Sequence, residues 1–168
     1  MRVITNNLNV AVIMCENERF EVIVTGGAAR CRDRGLTGES TIDFIRQFKV
    51  DYGVISVSGI DGDGTLLDFD YHEIRVGQAI IQNSRKVFLV ADHTKFGRQA
   101  MVRLCSISEM YALFTDQTPS PEMREMLAAA DVKLYVADEH PLNDLKPEAR
   151  RHPKGTFIGG GKEGRKKS

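Results

Sequence analysis

At 168 residues with 42% hydrophobic content, the chain is long enough to bury one core and short for two. Its formal net charge is zero, and residues 1–138 carry 15 basic against 19 acidic groups, which excludes an electrostatic footprint for nucleic acid over that stretch. Three cysteines at no metal-ligand spacing (Cys15, Cys31, Cys105) and no apolar run long enough for a membrane span point to a reducing compartment, the cytoplasm, without a membrane partner.

Residues 2–5 read as a strand, and Asn6-Asn7 after it suits a helix cap or a turn. Residues 8–15 are apolar nearly throughout and predict a mostly buried helix. A second strand over 20–24 ends at Thr25-Gly26-Gly27. The glycine pair either lets a ligand approach the backbone or simply turns the chain. Residues 28–38 predict a hairpin or loop whose Arg30, Arg32 and Arg34 are an anion patch or solvated charges. A helix follows to Phe48 with Ile42 and Ile45 on one face, then a third strand over 52–57.

Residues 58–65 form a Gly/Asp-rich loop at that strand's carboxyl end. Asp61-x-Asp63-x-Thr65 has calcium-loop spacing, but the twelfth position is His72 instead of glutamate, so the EF-hand reading fails. A helix is predicted over 71–83, with Glu73 in its first turn where the helix dipole favours a carboxylate. Residues 87–91 are five apolar residues in a row, expected as a strand buried on both faces. Asp92-His93-Thr94-Lys95 then sits beyond its carboxyl end, where open α/β sheets bind ligands. Lys95 is the candidate cation for a phosphate or carboxylate, although a solvated Asp92–Lys95 pair fits the spacing equally well. Residues 96–108 are mixed, with room for a short helix. A strand over 111–115, a helix from Pro121 to Ala130 and a last strand over 132–136 complete the order.

Alternating strands and helices mean an α/β fold, a mostly parallel sheet flanked by helices. Residues 139–168 carry eight Lys/Arg against four Asp/Glu, with three prolines and a Gly159-Gly160-Gly161 run, and predict a disordered basic tail. On one rim of such a sheet, Asn6, the backbone of Gly26, Gly27 and Gly59, the carboxylates of Asp61 and Glu73, and Lys95 would suit a small polyol phosphate. The acids would take hydroxyls; the lysine and N–H groups would take phosphate. His72 and His93 have no spacing that demands a base or metal role. No catalytic elbow, metal site or cofactor motif is present in the sequence.

Ile4-Thr5-Asn6-Asn7, Thr25-Gly26-Gly27, Gly38-Glu39, Ser58-Gly59-Ile60-Asp61, Phe69-Asp70-Tyr71-His72-Glu73, Ala91 through Arg98, and Thr115-Asp116 together resemble the sensor domain of DeoR-type repressors over residues 1–137. The resemblance implies a fold shared with ribose-5-phosphate isomerase and CoA transferases. It also implies a phosphorylated polyol or sugar effector, glycerol 3-phosphate foremost, and self-association or association with full-length repressor. Asp61, Glu73 and Lys95 match positions that line the sugar-phosphate site in the isomerase relatives. Such repressors start with a winged helix-turn-helix and a first sensor strand ending in a phosphate-holding loop. Neither is seen here, so residues 1–138 are expected to be a truncated sensor domain that exposes a sheet edge or apolar face and contacts DNA only through a helix-turn-helix it lacks. Two other readings remain: an isomerase-like enzyme with Glu73 as base, and an inactive remnant.

Overall fold

The computed structural model describes residues 1–137; the tail expected at 139–168 lies outside the described residues. The chain begins with a parallel pair, β1 (Arg2–Thr5) and β2 (Glu21–Val24), in register Val3 to Val22 and Ile4 to Ile23. Helix α1 (Leu8–Cys15) makes the crossover. Asn7 caps it, its side-chain oxygen accepting the N–H groups of Asn9 at 2.9 Å and Val10 at 3.2 Å. The predicted helix is there, but its burial is not. Only Ala11 is buried, while Val12 and Ile13 are 66% and 64% exposed. A helix apolar all round needs cover on every side, and among the described residues its main neighbours are the two strands it connects.

A short antiparallel hairpin follows, β3 (Ala28–Ala29) and β4 (Leu36–Thr37), and then α2 (Glu39–Ile45), which ends three residues before the expected Phe48. Strand β5 (Val50–Ile55) opens the main sheet. Its carboxyl end leads into β6 (Gly59–Ile60) and β7 (Thr65–Asp68), then α3 (Tyr71–Gln82), β8 (Ser84–Val90), β9 (Val102–Ser106), β10 (Ala112–Thr115), α4 (Pro121–Ala129) and β11 (Lys133–Val136). The order in the main sheet is β11-β10-β8-β5, all parallel. The α/β architecture expected from the alternating pattern is therefore what forms.

A second sheet, β6-β7-β9, is antiparallel. Sequence reasoning misses it: β6 lies in the glycine-rich loop of 58–65, β7 starts at its last residue and runs through 66–68, for which no element is predicted, and β9 lies where a short helix is expected. Two-residue and four-residue strands separated by Asp61-Gly62-Asp63-Gly64 carry a turn signal stronger than their strand signal. Ile60, Leu66 and Ile107 from this region are fully buried with Leu89 and Leu113 of the main sheet, Ile74 of α3 and Leu127 of α4. This main core lies on one face of the parallel sheet, and a smaller cluster joins Ile42 and Ile45 of α2 to Val76 and Ala79 of α3.

The opposite face is open, which corrects the expectation that 87–91 is buried on both sides. Val87 and Leu89 are buried, whereas Val90 is 48% exposed and Tyr52 and Val54 of β5 more so. Both α3 and α4 pack on the core face, because successive right-handed crossovers that advance in one direction place their helices on one side. Replacing Leu113, fully buried on β10, by alanine is expected to cost about 2–5 kcal/mol, read as a lower midpoint in urea denaturation.

Candidate functional site

The amino end of α3 is assembled from three carboxylates in six residues. Asp68 turns the chain, its Oδ1 accepting the N–H groups of Phe69 at 2.6 Å and Asp70 at 3.3 Å. Asp70 caps the helix by accepting the His72 N–H at 2.8 Å, and Glu73 lies in the first turn, as expected. Such a cluster repels itself unless a cation is supplied. The β3–β4 hairpin supplies it. Arg30 donates through Nη1 to Asp70 at 3.0 Å and through Nε to Asp33 at 3.2 Å, and its Nη2 pairs with both Asp33 and Glu73. The Glu73 Oε1 is buried and accepts no other hydrogen bond.

One guanidinium thus serves three carboxylates from two segments forty residues apart. The bond to Arg30 holds the Asp33 carboxyl below the usual carboxylate range. Asp70 is held low first by the His72 N–H and then by Arg30. Beside this cluster opens a cleft of about 430 Å³, with Arg32, Phe69 and Tyr71 completing its wall. The Arg98 guanidinium lies over the Phe69 ring at 5.2 Å, a cation–π contact. From sequence, Arg30 is one of three loop arginines with two possible roles, and nothing marks Phe69 or Arg98 as site residues. Pairings forty residues apart leave no local pattern that would have revealed them.

The remaining expected residues fall as follows. Asn6 is tied to the same hairpin, its side-chain amide donating to the Leu36 carbonyl at 3.1 Å. Gly26 is open to solvent. Gly27 has φ 134°, and a Cβ there would strike Thr41 Oγ1 and the Thr37 carbonyl. Gly59 is buried against the Arg98 carbonyl, again with no room for a Cβ. Asp61 accepts the Gly62 N–H at 2.8 Å and opens on a separate cleft of about 460 Å³ with Phe96, Gly97, Ser120 and Met123.

Lys95 ends a 3-10 turn, His93–Lys95, and lines neither cleft; among the described residues it has no ion pair or side-chain hydrogen bond. Its neighbour His93 is engaged by Asp116, Nδ1 to Oδ2 at 2.6 Å. The Lys95 loop is fastened to β6 by the Gly97 N–H, which donates to the Ile60 carbonyl at 2.8 Å. The structure therefore gathers Glu73 and the Asn6-bound hairpin at one cleft and sets Asp61 at another, with the loop of residues 95–98 between Arg98 on one side and Phe96 on the other. Of the thiols, Cys15 and Cys31 are exposed, and burial pushes Cys105 up to about 12.

Two predictions follow from this geometry. Asp33 and Asp70 both titrate below 3.8 when folded. The stability gained from pairing them with Arg30 is present above that ordinary value and is lost as pH falls through the lowered values. Arg30→Met is expected to destabilise by about 1–3 kcal/mol at neutral pH, and its deficit against wild type to shrink as urea titrations move from about pH 4 toward pH 2. Gly59→Ala is expected to displace the 95–98 loop, read as faster hydrogen exchange at the Gly97 amide than in wild type.

Comparison with known proteins agrees with the sequence pattern. The DeoR C terminal sensor domain matches residues 1–117. The chain is 51% identical over 136 residues to the glycerol-3-phosphate regulon repressor of Escherichia coli (strain K12), covering 81% of this chain and 54% of the relative. It is 50% identical over 119 residues to the repressor of the same name in Haemophilus influenzae, covering 71% and 46%. To the HTH-type transcriptional repressor CsqR of Escherichia coli (strain K12) it is 38% identical over 139 residues, covering 83% and 53%. The chain spans about half the length of the curated relatives it matches. No helix among the described residues is long and apolar enough to cross a membrane. A parallel sheet with helices on it, and a sensor-domain match over more than two thirds of its length, make this chain a member of the DeoR family, carrying its C-terminal sensor domain.

Proposed function

We propose that this chain is the effector-sensing part of a DeoR-type transcriptional repressor and that it binds glycerol 3-phosphate or a related sugar phosphate. The observation that carries the reading is its 51% identity to a relative named for the glycerol-3-phosphate regulon. Residues spread over the two clefts and the loop between them supply chemistry that supports it. Asp61 is a carboxylate suited to hydroxyls, as is the oxygen of Glu73 that Arg30 leaves over, while Lys95, in no ion pair among the described residues, and the backbone N–H groups at Gly26, Gly27 and Gly59 are suited to phosphate. Asn6 acts through the hairpin that it holds against the cleft.

The domain comprises residues 1–138, works in the cytoplasm and is a regulator rather than an enzyme. Glu73, the residue an isomerase would use as base, is committed to Arg30, and the relatives bear the names of repressors. The chain associates with copies of itself or with full-length repressor. Contact with operator DNA requires a helix-turn-helix, and none is present among the described residues. Effector binding shifts the assembly between states by its differential affinity for them.

Isothermal titration of the chain with glycerol 3-phosphate, beside glycerol and inorganic phosphate, tests this. Two or three charge-assisted hydrogen bonds at about 1.5–3 kcal/mol each, less the cost of association, predict micromolar affinity. Lys95→Ala is expected to weaken binding at least tenfold, and Glu73→Gln to weaken the polyol phosphate more than inorganic phosphate. No heat from a folded chain with any of the three would refute the effector reading.

A further inference from the structure

The open face of the four-stranded sheet carries a continuous aromatic row that crosses every strand. Tyr52 of β5 stacks on Phe88 of β8 at 5.3 Å, Phe88 meets Phe114 of β10 edge-on at 5.5 Å, and Phe114 stacks on Tyr135 of β11 at 4.7 Å. Tyr52 and Tyr135 remain 58% and 48% exposed, and Val54 and Val90 add to the patch. Parallel sheets are ordinarily covered on both faces, and an exposed apolar patch of this kind marks an interaction surface.

The charges at its two ends say what fits it. At the amino end of the strands, the ammonium groups of Lys86 and Lys133 both sit over the Tyr111 ring, at 4.2 and 4.6 Å. That ring touches Phe88 at 5.8 Å. At the carboxyl end, the two-residue side-chain period of a strand carries Phe88 and Val90 on to Asp92, and Phe114 on to Asp116. Both acids are exposed, Asp116 while also holding His93 and Asp92 while capping the turn that follows. The face is therefore cationic at one end, aromatic in the middle and acidic at the other.

We propose that this face is the contact between two copies of the chain, packed sheet on sheet about a two-fold axis perpendicular to the strands. That operation runs the strands antiparallel and sets the Lys86 and Lys133 end of each copy over the Asp92 and Asp116 end of the other. A self-complementary patch is what a two-fold contact requires. The inference gives a surface to the self-association proposed above and rests on that reading; it is independent of the effector. Four strands at about 4.8 Å spacing and six residues at about 3.3 Å rise bound the patch to about 400 Å² in projection. That is below the about 800 Å² per partner of stable complexes and fits a weak, reversible contact.

Sedimentation equilibrium of the chain across micromolar concentrations tests it. Wild type is expected to show a monomer–dimer equilibrium. Lys86→Glu with Lys133→Glu should raise the dissociation constant at least tenfold, with circular dichroism unchanged because both side chains are on the surface. Asp92→Lys with Asp116→Lys should do the same, and mixing the two double variants should restore a dimer. A wild-type dimer that persists unchanged in both double variants would overturn this surface while leaving self-association standing. A wild-type chain that stays monomeric throughout would overturn both.

Discussion

Burial of one face of the four-stranded parallel sheet is the constraint on which the rest of this fold depends. Leu89 and Leu113 lie at its centre with no exposure, and everything that shapes the candidate site is anchored through them. Helix α3 reaches the sheet through Ile74, α4 through Leu127, and the antiparallel sheet through Ile60 and Leu66. Six fully or almost fully buried aliphatic side chains from six separate elements fix the carboxyl ends of the strands relative to the α3 amino end. The Asp68–Asp70 turn and the 95–98 loop take their positions from that arrangement.

On this frame, Arg30 acts as an electrostatic hub. Three carboxylates converge on it, two of them held at the start of α3 by backbone geometry that would otherwise concentrate like charge. The arginine is three-quarters or more covered as a side chain, and its planar fork can serve several acceptors at once where a lysine could not. The cost of taking these charges partly out of water is offset by mutual pairing. The consequence for the site is that Glu73 is oriented by Arg30, and that the hairpin carrying Arg30 cannot shift without disturbing the α3 cap.

The main-sheet strands and the longer helices were legible because each has a local cause. Ser120 and Pro121 start α4, Asp70 caps α3, and Ile74 and Ile81 recur at helical spacing. Glu73 and its place in the first turn were equally readable. What the sequence could not show is long-range. Five consecutive apolar residues at 87–91 look the same whether one face or both are covered, and α1 looks buried because its composition is apolar. The β6–β7 hairpin hides in residues whose strongest signal is for turning. Arg30 was one arginine among three until the fold brought Asp70 and Glu73 to it, and Asp61 and Glu73 share a motif order without sharing a cleft.

The thiols give the molecule an unequal chemistry. Cys105, on β9 and packed against the core, keeps its proton far beyond neutral pH because burial raises it to about 12. Alkylating reagents and mild oxidants, which act on thiolates, therefore have little to react with there. Cys31 is exposed and directly follows Arg30 in the hairpin. A fluorophore or spin label attached at that position, with Cys15 replaced, would sit one residue from the guanidinium that joins the hairpin to α3. The hairpin thus carries its own natural point of attachment for observing the cleft.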